Sequence, residues 1–297
     1  MKVLSPLRYP GGKAKIADFI KQVVKDNDLL DGVYVEPYAG GAAVALSLLM
    51  DEYVSRIIIN DKDRSIYAFW HSVLYDTDHL CQLIEETPVN MDTWMVQREL
   101  QSPENKETVN LLTLGFSTFF MNRTNRSGII KAGVIGGFNQ TGNYKIDARY
   151  RKEELIARIR RIASYADRIE LHHEDAVDLV NHIAQTAPEN TILYLDPPYY
   201  QKGRGLYMNY YDDADHERIR DVITHVDSLR WIVSYDNSAF IKSLYQSFRS
   251  QEFYLNYSAN NNGKGTEVIF FSDNCRVTEE ALGKINIVES CRLLRYT

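Results

Sequence analysis

Cysteine is scarce: Cys81, Cys275 and Cys291 are the only three in 297 residues. They are too few and too far apart for a disulfide framework or a thiolate zinc site, and they read as packing thiols. Long apolar runs are missing too. Stretches such as Ala42 to Met50 and Thr191 to Leu195 fall well short of the roughly 20 residues that a membrane-spanning helix needs. Near the first residue, Lys2 is followed by Pro6, Arg8 and a Gly-Gly pair, so no signal sequence is read and a cytoplasmic location is expected, with no membrane partner. Of seven histidines only His172 and His173 are adjacent. Neighbours on a strand point to opposite faces, so no metal is expected.

Positive charge is also in short supply, with a formal net charge of −6. That argues against binding nucleic acid over the whole surface. The balance is uneven, however. From Asn122 to Arg161 ten Lys or Arg face only Asp147, Glu153 and Glu154, a local charge of +7 that leaves −13 for the remainder. A cationic face on an acidic body suffices for phosphate contacts, although a charge run by itself is usually a solvated face.

What is present is enough apolar material, 44% hydrophobic against 25% charged, to bury the core of one large domain or of a core with an appended module. Short apolar strands ending in an acidic residue alternate with helical patterns, as in a parallel sheet flanked by helices. Strands are expected at Val33 to Glu36, Arg56 to Asn60, Ile169 to His172, Thr191 to Leu195 and Trp231 to Tyr235. An antiparallel pair, Glu252 to Tyr257 and Glu267 to Phe271, is expected around the Asn-Gly-rich turn at 260–265. Between Asp76 and Phe120 the periodicity is helical. From Asn122 to Lys145 the composition turns to Gly, Asn, Thr and basic residues, which suggests a hairpin or ordered loops. This divides the chain into a core, 1–75 and 150–297, and a module at 76–149.

In an open parallel sheet, ligands bind outside the carboxyl ends of the strands. Glu36, Asp61 and Asp196 are placed there. Glu36 opens Glu36-Pro37-Tyr38-Ala39-Gly40-Gly41, where a Gly pair lets backbone approach a ligand and a helix N-terminus follows. Asp61, at the end of the next strand, can accept hydrogen bonds from ribose hydroxyls. Together they describe an adenosine-binding crevice. Asp196-Pro197-Pro198-Tyr199 is more specific: successive prolines stiffen the loop and remove two backbone donors. A carboxylate and carbonyls with few N–H groups suit an amino group that only donates hydrogen bonds. An exocyclic amine on a nucleobase is a poor nucleophile because its lone pair is delocalised. Accepting its hydrogen bonds through Asp196 and the Pro197 carbonyl should return density to nitrogen, with Tyr199 offering a flat stacking surface.

Leu7-Arg8-Tyr9-Pro10-Gly11-Gly12-Lys13, the Glu36 to Gly41 run and Asp196 to Tyr199, in this order with an insertion between, resemble the Dam-type (D12 class) adenine-N6 DNA methyltransferases. Asn122 to Gly128 resembles that family's recognition-hairpin motif, and Phe138-Asn139-Gln140-Thr141-Gly142 the segment after it. The resemblance spans about Leu4 to Ser272. It implies a Rossmann-like S-adenosylmethionine-dependent methyltransferase core with an inserted helical and hairpin target-recognition module. It further implies that Tyr9 and Lys13 contact the methyl donor, that Glu36, Pro37, Tyr38 and Gly40 line its pocket, that Asp61 holds the ribose, and that Asp175 lies near the donor's adenine. Asp196, beside the donor, Pro197, Pro198 and Tyr199 would be catalytic, acting on a base flipped out of double-stranded DNA. Arg123, Asn125, Arg126, Lys131, Asn139 and Lys145 are the candidates for nucleic-acid contact. By spacing alone Tyr9 could be a core aromatic, Lys13 a first-turn helix residue and Asp175 a helix cap. Ala42 and Ala43 stand where many members carry Gly or Ser, which stiffens the turn. A cognate restriction endonuclease is a candidate partner, and a monomer or weak dimer the expected state. Cytosine N4 or adenine in RNA would suit the same acceptors, and a DNA-binding regulator without turnover is the rival from another class.

Overall fold

The computed structural model describes residues 4–8, 14–200, 211–255 and 265–285. Among them seven strands run in chain order: β1 (Gly32–Glu36), β2 (Val54–Asn60), β3 (Ile169–His172), β4 (Thr191–Leu195), β5 (Arg230–Asp236), β6 (Arg249–Leu255) and β7 (Gly265–Phe271). The chain divides into two compact units, one of residues 1–10 and 61–173, the other of 11–60 and 174–297. The expected strands are all found, two of them, β3 and β4, with the expected bounds. Tyr257 and most of the 260–265 turn lie outside the described residues, as does Cys291.

In the second unit six strands lie in the order β2-β1-β4-β5-β7-β6. The β1–β2, β1–β4 and β4–β5 pairs are parallel, while β7 lies antiparallel between β5 and β6. β4 reads Thr-Ile-Leu-Tyr-Leu and is buried at every position, as expected of a strand covered on both faces. From β1 the chain first builds outward to β2 and later returns to the other side of β1 with β4. Strand order therefore reverses at β1/β4, where open sheets of this kind hold ligands at the carboxyl ends.

Alternation along the strands sorts their side chains onto two faces. Val35, Leu193, Leu195, Trp231, Val233, Tyr235, Val268 and Phe270 pack with Leu179, Val180 and Ile183 of helix Ala176–Thr186 and with Ile219 and Ile223 of helix Asp213–Thr224 in one apolar cluster. Glu36, Tyr194, Asp196, Ser234, Asp236 and Glu267 alternate with them and so belong to the opposite face.

The first unit is built on helix Leu111–Thr124, in which every residue from Leu114 to Asn122 is buried. Helix Arg64–Tyr75 crosses it closely at Gly115, where an added Cβ would lie 2.5 Å from the Ala68 carbonyl oxygen and 2.4 Å from Ser72 Oγ. Of the two forms expected for the basic segment, the ordered loop is the one seen, closed by a single antiparallel bridge between Asn125 and Val134. Two buried or half-buried amides shape it. Asn125 accepts from Trp94 Nε1 at 2.7 Å and donates to the carbonyls of Ile129 and Ile130. Gln140 donates to the Ile135 and Gly137 carbonyls and accepts from the Ile146 amide.

Candidate active site

The turn after β1 is made of small residues, Ala39-Gly40-Gly41-Ala42, leading into helix Ala43–Met50. Gly40 and Ala42 both sit at φ 47°, a left-handed conformation that glycine adopts freely and alanine adopts at a cost of roughly 1 kcal/mol. Glu36 is 2% exposed and accepts from the Ala45 amide, which fixes its carboxylate against the first turn of that helix. Asn60, the last residue of β2, ties the turn to Glu174, just before helix Ala176–Thr186. Its amide nitrogen donates to the Pro37 and Glu174 carbonyls, its side-chain oxygen accepts from the Glu174 amide, and its own carbonyl accepts from Ala39.

Asp175 N-caps helix Ala176–Thr186 by accepting from the Val177 amide at 3.0 Å. Nearby, the Tyr38 and Tyr211 hydroxyls are 2.9 Å apart. Burial pushes Tyr211 up to about 12, the Tyr38 hydrogen bond works against that rise, and Asp175 adds to it. Burial, then the neighbouring Tyr211 and Tyr235, also raises Tyr38. Both phenols therefore stay protonated and neutral at physiological pH.

Asp196 follows β4 and is 8% exposed. Its Oδ1 accepts from Ser234 Oγ at 2.9 Å, and Ser234 Oγ lies 2.8 Å from the Tyr194 hydroxyl. Tyr199 is buried and donates its hydroxyl to Glu267 Oε1 at 2.5 Å. The next backbone amide, of Tyr200, donates to Asp236 Oδ1 at 2.8 Å. Glu267 and Asp236 are register partners on β7 and β5, so this strand pair, with Ser234 on β5, holds the tetrapeptide at Asp196 and Tyr199 and the chain just past it at Tyr200. Tyr200 stacks on Phe240 with ring centroids 4.6 Å apart. His216 sits among Tyr200, Tyr211 and Tyr235, and burial lowers its pKa against the opposing pull of Asp236 and Asp215.

The second unit thus carries Glu36, Pro37, Tyr38, Gly40, Asp175 and Asp196 to Tyr199. Tyr9 and Lys13 lie outside the described residues. Asp61 belongs to the first unit, where it accepts from the Asp63 amide just before helix Arg64–Tyr75. The nucleic-acid candidates are also in the first unit. Arg126, Lys131, Asn139 and Lys145 are exposed, Asn125 is buried, and Arg123 is intermediate. Arg123 Nε donates to the Arg149 carbonyl, and burial, helped by Arg8, Arg158 and Arg149, lowers its pKa to about 10. Lys145 Nζ donates to the Gln140 carbonyl. Exposed Phe138 and Tyr144 stand on the same loop.

Asn60, Ser234, Asp236 and Glu267 were not singled out from the sequence. The signal for Ser234 was a small polar residue inside Trp-Ile-Val-Ser-Tyr, and for Glu267 a carboxylate opening Val-Ile-Phe-Phe. A polar residue in a strand otherwise fit for burial is the informative exception.

Residues 9–258 match the family model described as D12 class N6 adenine-specific DNA methyltransferase. The type II methyltransferase M.MjaIII of Methanocaldococcus jannaschii is 24% identical over 238 residues, which is 74% of this chain and 78% of that protein. Among solved structures, TrmN from Thermus thermophilus has a TM-score of 0.36 at 10% identity over 88% of this chain, which spans about half (52%) of TrmN. The rRNA methyltransferase aviRa from Streptomyces viridochromogenes has a TM-score of 0.37 at 11% identity, over 88% of this chain and 85% of that one. Both are loose likenesses.

Proposed function

Because the chain belongs to the D12 class of N6 adenine-specific DNA methyltransferases, we propose that it methylates adenine N6 in duplex DNA at Asp196 to Tyr199, with S-adenosylmethionine as donor. The observation that carries this reading is the seat of Asp196: a nearly buried carboxylate at the carboxyl end of β4, beside the strand-order reversal and oriented by Ser234.

The donor's pocket fits the turn after β1. Four small residues leave room for a ligand against the backbone. Glu36, Pro37, Tyr38 and Gly40 would line that pocket, Tyr9 and Lys13 would contact the donor, Asp61 would hold the ribose, and Asp175 would lie near the adenine ring. When bound, S-adenosylmethionine supplies an electrophilic methyl group.

Asp196 and the Pro197 carbonyl accept the two hydrogen bonds of the N6 amine and draw its lone pair out of the ring, and Asp196 helps carry off the surplus proton. Pro197 and Pro198 keep competing N–H donors out of the acceptor loop. The Tyr199 ring stacks on the extruded base. Most of the acceleration comes from holding nitrogen and methyl carbon in line, with no covalent enzyme intermediate.

The 76–149 module acts as the target reader, with Arg126, Lys131, Asn139 and Lys145 facing DNA, Arg123 close to the phosphates, and Asn125 shaping the loop. A cognate restriction endonuclease as partner, a monomer or weak dimer, and a cytoplasmic setting complete the proposal. Asp196→Ala tests it: methyl transfer to duplex DNA is expected to vanish while labelled donor still binds. Retained turnover refutes the role of Asp196.

A further inference from the structure

We infer that Ser234, held by Tyr194, is a positioning residue for methyl transfer: the two hydroxyls form a directed relay that sets the orientation of the Asp196 carboxylate. The inference rests on the catalytic role given to Asp196 above. Tyr194 and Asp196 are two residues apart at the end of β4 and share one face of the sheet. The parallel register pairs Tyr194 with Ile232 and Leu195 with Val233, so the next position along β5, Ser234, arrives beside Asp196. All three side chains are buried or nearly so, at 1%, 8% and 1% exposed for Tyr194, Asp196 and Ser234.

The direction of the relay follows from proton counting. A serine hydroxyl has one proton, and Ser234 gives it to Asp196 Oδ1 at 2.9 Å. The 2.8 Å contact between the Tyr194 and Ser234 hydroxyls must then be donated by Tyr194. Tyr194 is suited to do so without interruption, since burial raises its pKa and, although the Ser234 hydrogen bond opposes that rise, Glu267 and Glu36 add to it, so the phenol stays protonated. With its lone pair engaged from below, Ser234 cannot rotate its proton away from the carboxylate. The carboxylate plane is thereby fixed before substrate arrives, and a preorganised acceptor needs no reorientation at the moment of reaction. The hydroxyls need not touch substrate to do this.

The test is turnover on a duplex substrate by Ser234→Ala, Ser234→Thr, Tyr194→Phe and Asp196→Ala, each with KM for DNA and donor affinity measured alongside. Ser234→Ala is expected to lower kcat by about 10- to 100-fold, the range for losing a hydrogen bond to a charged group, with KM and donor affinity within about twofold. Ser234→Thr, which keeps the hydroxyl, is expected to recover most of the loss, and Tyr194→Phe to fall between wild type and Ser234→Ala. If Asp196→Ala is inactive but Ser234→Ala or Tyr194→Phe turns over at the wild-type rate, the relay is overturned and the role of Asp196 stands. If Ser234→Thr is as impaired as Ser234→Ala, or if Ser234→Ala loses donor and DNA binding together with kcat, the role is structural and the inference fails. If Asp196→Ala keeps its activity, the reading beneath the inference fails first.

Discussion

Tyr199 combines two tasks that substitution can separate. Its ring belongs to the tetrapeptide proposed to be catalytic, and its hydroxyl donates to buried Glu267 on β7. Tyr199→Phe keeps the ring and removes the donor from an acidic group. Urea denaturation is expected to show a loss of about 1–3 kcal/mol, while methyl transfer stays within about tenfold of wild type. A larger loss of turnover than of stability would move the hydroxyl from support into the chemistry. At this scale the tetrapeptide was legible in the sequence because Asp-Pro-Pro-Tyr is chemically restrictive. Its supports were not, since Ser234 and Glu267 reach it from strands 38 and 68 residues away from their partners, and nothing local marks such a pairing.

Elements differ in how plainly they announced themselves. β4 was legible to the residue because its apolar run is bounded by polar turn residues, and β3 because Ile-Glu-Leu-His alternates as a strand does. β6 begins three residues ahead of its expected start at Glu252, as Arg249-Ser250-Gln251 lacks the apolar alternation that marks a strand. Among the described residues it is an edge strand, with β7 pairing on one side. Helix Met91–Leu100 was only part of a general helical stretch. It buries Trp94 and polar Gln97 but exposes Met95 and Val96, so composition misstates its inner face. Helix Leu111–Thr124 is buried nearly all round, polar Ser117, Thr118, Asn122 and Thr124 included. Its contact with helix Arg64–Tyr75 depends on Gly115, where a methyl group would meet the Ala68 carbonyl. Gly115→Ala is expected to destabilise the protein by about 1–3 kcal/mol as the two helices are forced apart, measured by urea denaturation. An unchanged midpoint would mean the helices slide past one another without strain.

Across the molecule, the chain returns on itself in ways no window of sequence displays. The Arg8 amide donates to Asn122 Oδ1 and the Asn122 amide donates back to the Arg8 carbonyl, a reciprocal pair 114 residues apart that fastens the early segment into the first unit. Charge was readable at this scale, for the +7 segment supplies exposed Arg126, Lys131 and Lys145 in a chain whose net charge is −6. If these side chains meet the phosphate backbone, Arg126→Ala with Lys131→Ala should weaken DNA binding at every sequence tested. The slope of log K against log salt should shrink by about 1 for each phosphate no longer neutralised, with donor affinity unchanged. An unaltered slope would remove these residues from the interface.

The role proposed for Asp196 is to present an amine of DNA adenine to a methyl donor. Its most direct test is mass spectrometry of nucleosides from duplex DNA incubated with the protein and isotopically labelled S-adenosylmethionine. The wild type is expected to yield labelled N6-methyladenine and Asp196→Ala none; label on cytosine N4 alone, or an undiminished yield from the variant, would contradict that role.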